Sequence, residues 1–383
     1  MEQQYIDLIK KIARIFIDGY VLVFYDEKID KVVIDYRYDA IRPIMYSQWL
    51  ESCNENNVNQ DDILILNDNF APNLDMKNLV YSFSNLTAMA HALQRDRRVL
   101  SSDFDKIPYD KNYISFLKGQ KKIKKFLSYN GSFHPHRLLL VNALHELSLI
   151  KDGLISYKGS VDVDEFNLAI EKITKKSDSF KYKKLNSDFV QDSPYHLDVL
   201  PEFLATNDIS MTENVNTDLY AEGMQFTWVN FKHIESVYFN VVTETDFNFE
   251  ALNKNVDYVG FVTEKTVKAL LTQPFILVGV NGSLKFLREL GFKTFPMLFD
   301  ESYDEIEDDS LRLNKIIEEI DRVCKLDDDE LQELYGEALE VVIHNQNIIL
   351  SFDEPNTYLR ELSKRKPETL LYPGGGIIGR KND

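Results

Sequence analysis

A chain of 383 residues exceeds the usual size of one domain, so two domains are expected. Hydrophobic residues at 44%, with 12% aromatic, suffice for packed cores and argue against a disordered chain. The formal charge of −18, from 44 basic and 62 acidic residues, opposes general attraction to nucleic acid or anionic membranes. Cys53 and Cys324 show no Cys-x-x-Cys or Cys/His spacing, so no disulfide framework or structural zinc site is expected, and a reducing cytoplasm fits. No apolar run approaches the roughly 20 residues needed to span a bilayer, so a soluble protein with no membrane partner is expected.

Residues 1–18 read as an amphipathic helix, because Lys10, Lys11 and Arg14 break its apolar set. YVLVFYD and KVVIDY follow as strands, then DDILILND, which ends on Asn67 and Asp68. Leu79 to Phe83 reads as a further strand, Leu86 to Gln94 as a short helix, and residues 95–110 as loop. These elements make a first α/β domain over 1–120. The lysines at 118, 121, 122, 124 and 125 mark the expected connection into a second domain over 121–350. That domain opens with the strand KFLSYN, a turn at Gly131 to Pro135, a helix from His136 to Leu147 and the strand LISY. A helix is expected at Val163 to Ile173, within a polar, lysine-bearing segment at about 160–235. SVYFNVV is a β-branched and aromatic strand ending at Thr243-Glu244.

Residues 258–304 organise the rest. Thr263 is placed to cap a helix, with Glu264 suited to its positive end. The apolar run QPFILVGV between turn signals reads as a strand covered on both faces. Asn281-Gly282 turns into a helix from Ser283 to Leu290, closed by Gly291. Helices are expected at Leu311 to Cys324, Asp329 to Ile349 and Asn356 to Arg365, ahead of a Gly-rich end within 351–383. Alternation of strands and helices predicts mostly parallel sheets with ligands beyond the carboxyl ends of their strands.

The acid–base pair Glu264-Lys265 opening a helix before PFILVG, with SYNGSFHPHR upstream, resembles the donor half of GT-B glycosyltransferases. It is most similar to the α(1,3)-fucosyltransferase and exostosin-like branches. The fuller pattern also resembles uncharacterised glycosyltransferase-like proteins of large tailed bacteriophages. The resemblance implies two Rossmann-like domains with a cleft between them and terminal helices bracing the lobes. It implies a UDP- or GDP-sugar donor, no required metal, inversion at the sugar, and transfer to a hydroxyl of a glycan or of a hydroxymethylated DNA base.

The residues supply the chemistry such a site needs. A departing diphosphate requires countercharge, which Arg, Lys and backbone N–H groups at helix starts provide. Arg137 matches the arginine that grips the diphosphate in the resembled families, although a helix-start arginine can also be a surface residue. Asn130 and Gly131 stand where the backbone turns beside it, and His136 is a candidate neighbour of the phosphates. His134 and His136 form a His-x-His pair without a third ligand, which favours packing over metal. Lys265 carries over as the second phosphate clamp, Glu264 as the hydroxyl acceptor, and Glu244 as the carboxylate meeting ribose or sugar. Adjacent helical residues diverge by about 100°, so Glu264 and Lys265 are expected to serve different partners. Tyr258 or Phe261 can stack on the base. Deprotonating the acceptor needs a general base, which the resemblance places in the first domain, with Asp68 the candidate and Asp103 and Asp105 alternatives. The acid pairs Asp103/Asp105 and Asp162/Asp164 are common features of an acidic chain and give no reason to expect Mn²⁺. A non-catalytic binder, or a sugar-phosphate or nucleotide enzyme on the same plan, remains open.

Overall fold

The structure, a computed structural model, describes residues 22–26, 28–35, 54–55, 59–67, 79–81, 111–130, 133–157, 162–187, 231–248 and 262–352. These divide into two units, one within 22–81 and one within 111–352. In the first, β1 (Leu22–Asp26) and β2 (Lys31–Asp35) form an antiparallel hairpin. β3 (Ile63–Asn67) and β4 (Leu79–Tyr81) add in parallel, in the order β1-β2-β3-β4. Asp26 opens the hairpin turn by accepting the Lys28 N–H at 3.0 Å, and Asp30 takes the left-handed φ of 54° that aspartate tolerates. Val32, Val33 and Ile34 are buried in succession, so both faces of β2 are covered. The expected helices at 1–18 and 86–94, the loop at 95–110, and Asp68 lie outside the described residues.

The second unit begins with α1 (Lys111–Gly119), followed by β5 (Phe126–Asn130), α2 (Pro135–Glu146), β6 (Gly153–Tyr157) and α3 (Val163–Ile173). After residue 230 come α4 (Phe231–Ser236), β7 (Phe239–Thr243), α5 (Glu264–Thr272) and β8 (Phe275–Val278). The chain continues through α6 (Ser283–Glu289), α7 (Asp309–Cys324) and α8 (Asp328–Leu350). The sheet is all parallel, in the order β6-β5-β7-β8. From β5 the chain crosses one way to β6, and from β7 the other way to β8. Right-handed crossovers in opposite directions put their helices on opposite faces. Packing follows this rule: α2 meets α3 and α7, whereas α5 meets α8, which also meets α1. The protein is therefore a mixed α/β fold whose second unit is a doubly wound parallel sheet.

Three expectations change. The lysine-rich stretch at 118–125 is not a connection between domains, because Ile114 and Leu117 bury one face of α1 within the second unit. Residues 236–238 of SVYFNVV end α4 and lead into the ladder rather than join it. α7 and α8 brace their own unit, where Gln346 donates Nε2 to Leu271 O at 2.6 Å. The helix expected at 356–365 lies outside the described residues.

The late acidic stretch has defined work as well. Asp304 accepts from the Leu284 and Lys285 N–H groups, both at 2.9 Å, and so caps α6. Asp308 and Asp327 cap α7 and α8. Gly282 and Gly291 take φ of 79° and 91° on either side of α6, as turn and stop signals require.

Candidate functional site

In a doubly wound sheet, the loops leaving two neighbouring strands diverge where the direction of winding reverses, and the crevice between them receives ligands. Here that switch point lies between β5 and β7. Asn130 ends β5 and is buried, with Nδ2 donating to Ser128 Oγ and Oδ1 accepting from Thr243 Oγ1, each at 3.1 Å. Its N–H reaches Ser156 Oγ at 3.3 Å. Asn130 thus ties β5 to both neighbours at the carboxyl edge, and its amide is committed to that network.

His134 holds the extended conformation at the start of α2 without capping it through its side chain. His136 donates Nε2–H to Glu244 O at 2.9 Å and stacks on Phe247, with ring centroids 5.1 Å apart. Burial, together with Arg137 and His134 nearby, holds its imidazole well below the usual histidine range. Arg137 turns inward, donating from Nη2 to Thr243 O at 3.0 Å and Glu244 O at 3.1 Å, with 2% exposure. The arginine expected to reach out to a diphosphate is therefore a brace between α2 and the end of β7.

Glu244 is enclosed too, at 0% exposure. Oε1 accepts from the Thr263 N–H at 3.0 Å and from the Thr266 hydroxyl, and Oε2 accepts from the Thr263 hydroxyl at 2.6 Å. A carboxylate on the β7 loop therefore satisfies donors in the first turn of α5 and complements its dipole. These three contacts hold the Glu244 carboxylate against the first turn of α5. Thr263, the expected cap, also accepts from Lys265 N and Nζ, at 3.4 and 3.1 Å.

Glu264 and Lys265 remain open, with side chains 17% and 32% exposed. Contrary to expectation they meet each other, Nζ lying 3.0 Å from Glu264 Oε1 and 3.9 Å from Glu244 Oε2. The long lysine stem spans the angle between adjacent positions. Burial pushes the Glu264 carboxyl up, but Lys265 and Lys268 outweigh it and hold the group below its usual range. The seven residues Asn130, His136, Arg137, Glu244, Thr263, Glu264 and Lys265 thus share one sheet edge. Asp68, Gly131, Tyr258 and Phe261 lie outside the described residues. Sequence reasoning missed Phe247, Thr266 and Lys268. Only the Glu264/Lys268 spacing of four carried a signal, as a helical ion-pair interval.

Asp103 and Asp105 lie outside the described residues, while several other candidates have structural roles. Asp162, of the second acid pair, caps α3 by accepting from the Glu165 N–H at 2.8 Å. Lys118 pairs with Glu340, Lys181 with Glu318 and Lys183 with Asp178. Lys125 donates to Cys324 O and Leu326 O, capping the end of α7. Burial pushes the Cys324 thiol up to about 12, consistent with an inert core cysteine. Among the described residues no group of three His, Cys, Asp or Glu side chains is placed to hold a metal ion. Nor is any described helix long and apolar enough to cross a membrane. Comparison with protein families, curated proteins and solved structures gave no match.

The His136 environment predicts a pH dependence. The imidazole stays neutral in the fold but binds a proton in the unfolded chain below about pH 6.5. Its contribution is therefore complete above that pH and declines as pH falls, by up to about 1.4 kcal/mol per unit. A His136→Phe variant keeps an aromatic ring against Phe247, and Glu244 O keeps Arg137. Urea titrations from pH 7.5 to 5 are expected to show a shallower stability loss for this variant than for the wild type. Parallel profiles would contradict the assignment.

Proposed function

We propose that the protein is a GT-B-type glycosyltransferase, moving a sugar from a nucleoside-diphosphate donor to a hydroxyl acceptor. What supports this most is the meeting of Glu264 and Lys265 at the opening of α5, beside the β5/β7 switch point. A cation and a carboxylate at that position suit a phosphate and a sugar hydroxyl, respectively. In this reading Lys265 neutralises the departing diphosphate and Glu264 orients ribose or sugar. Arg137 adds positive field from below, and Glu244 fixes the helix end that carries both.

The lysines at 118, 125, 181 and 183 bond to acids and carbonyls of their own unit, which favours a glycan over a DNA base as acceptor. Calorimetry with UDP, GDP and their sugar conjugates tests donor binding. Lys265→Ala is expected to weaken the preferred nucleotide about tenfold, roughly 1.4 kcal/mol. Unchanged affinity would remove the site assignment. Binding without sugar release to any acceptor would leave the non-catalytic binder as the better reading.

A further inference from the structure

A diphosphate in this crevice needs a second cation, and Arg137 is committed to two carbonyls and closed to solvent. α5 supplies another. Lys268 stands one turn beyond Glu264 on α5, the helical interval at which side chains are neighbours, and its ammonium interacts with the charges of both Glu264 and Lys265. It is half-buried. Building on the diphosphate reading, we infer that Lys265 and Lys268 form a two-lysine anion clamp, in which Glu264 is the resident counter-ion that a pyrophosphate-bearing ligand displaces. The released carboxylate then turns to a hydroxyl of the same ligand.

Electrostatics agree with this arrangement. Burial pushes the Lys268 ammonium down to about 8, Glu264 opposes that shift, and Lys265 adds to it. Arg137 and Glu244 complete the charged surroundings, both near Glu264 or Lys265. A lysine poised there is partly neutral in mildly alkaline solution, and an arriving polyanion restores its proton. Ligand binding is thereby coupled to proton uptake by one identifiable side chain.

The test is calorimetry with inorganic pyrophosphate, UDP and GDP at pH 8, in two buffers of different ionisation enthalpy. Wild type is expected to take up more protons on binding than Lys268→Arg, whose affinity stays within about threefold because the charge is kept. Lys268→Ala is expected to weaken binding about tenfold, and Glu264→Gln to strengthen pyrophosphate binding severalfold by removing the competing carboxylate. A nucleoside diphosphate binding at least tenfold tighter than pyrophosphate identifies a nucleotide as the natural source; equal affinities identify free phosphates. If Lys265→Ala weakens binding but Lys268→Ala does not, the clamp is refuted while the donor site stands. If Lys268→Arg retains full proton uptake, the clamp is likewise refuted. Wild type that binds none of the three probes overturns both readings.

Discussion

Replacing Arg312 with methionine is expected to cost the second unit about 3–5 kcal/mol, a large share of the stability of a domain this size. The guanidinium is 1% exposed and gathers four partners from three stretches of chain. It donates to Phe247 O at 2.6 Å, Ile306 O at 2.7 Å and Gly279 O at 3.3 Å, and pairs with Asp309 at 2.5 Å. It also lies 4.3 Å from the centroid of the Phe247 ring, which stacks on His136. Methionine fills much of the space but leaves Asp309 buried without its charge partner, a more costly state than an apolar pair. A lower guanidinium midpoint with an unchanged denaturant slope is the expected reading. Adding Asp309→Leu should recover part of the loss, because the two side chains are coupled. A loss under about 1 kcal/mol in the single variant would show that the three carbonyls find other donors at little cost.

Glu244→Ala is expected to cost about 2–4 kcal/mol, combining a lost helix cap with orphaned donors. The damage should be local. Hydrogen exchange at the Val267 amide, bonded to Thr263 O at 3.1 Å in the first turn of α5, is expected to quicken before that of β7 or β8. Glu244→Gln should cost about half as much, since one side-chain oxygen remains and threonine hydroxyls can reorient. Pyrophosphate affinity should fall with the cap, because Thr263 accepts from Nζ of Lys265 and Glu244 lies beside that ammonium. Full binding by a stable Glu244→Ala protein would mean that Lys265 needs no support from beneath.

The contrast between these two residues marks what a sequence can convey. β8 and α6 were legible because Pro274 and Asn281-Gly282 bound an apolar run, and no long-range contact is needed to read them. α3 was expected at Val163 to Ile173, but Asp162 stood out in the sequence only as one of an acid pair, and its work as the cap of that helix shows only in the fold. α1 was hidden because lysines next to its C-terminal turn read as a charge run, although Ile114 and Leu117 are core residues. At the site, strand–helix alternation put Arg137 and Glu244 beside the carboxyl ends of strands, while their meeting with Lys265 was implied only by the resemblance. Their roles were not legible. Whether Arg137 reaches outward depends on carbonyls at the end of β7, which lies 106 residues further along the chain. Glu244 gives no local hint that Thr263 and Thr266 will enclose it, since both follow a separate stretch of sequence.

The strand order also bears on how the molecule is made. A ribosome that has released β5 and β6 has exposed two neighbours able to pair at once, Phe126 opposite Gly153. The opposite flank of β5 must wait for Phe239, so an early nascent chain carries a naked row of backbone donors and acceptors. Joining that late arrival to a long-finished strand is a distant closure, inherently slow and open to capture by a similar edge on another polypeptide. Chaperone demand during synthesis should therefore peak between the emergence of Tyr157 and that of Thr243, then subside once the gap is filled.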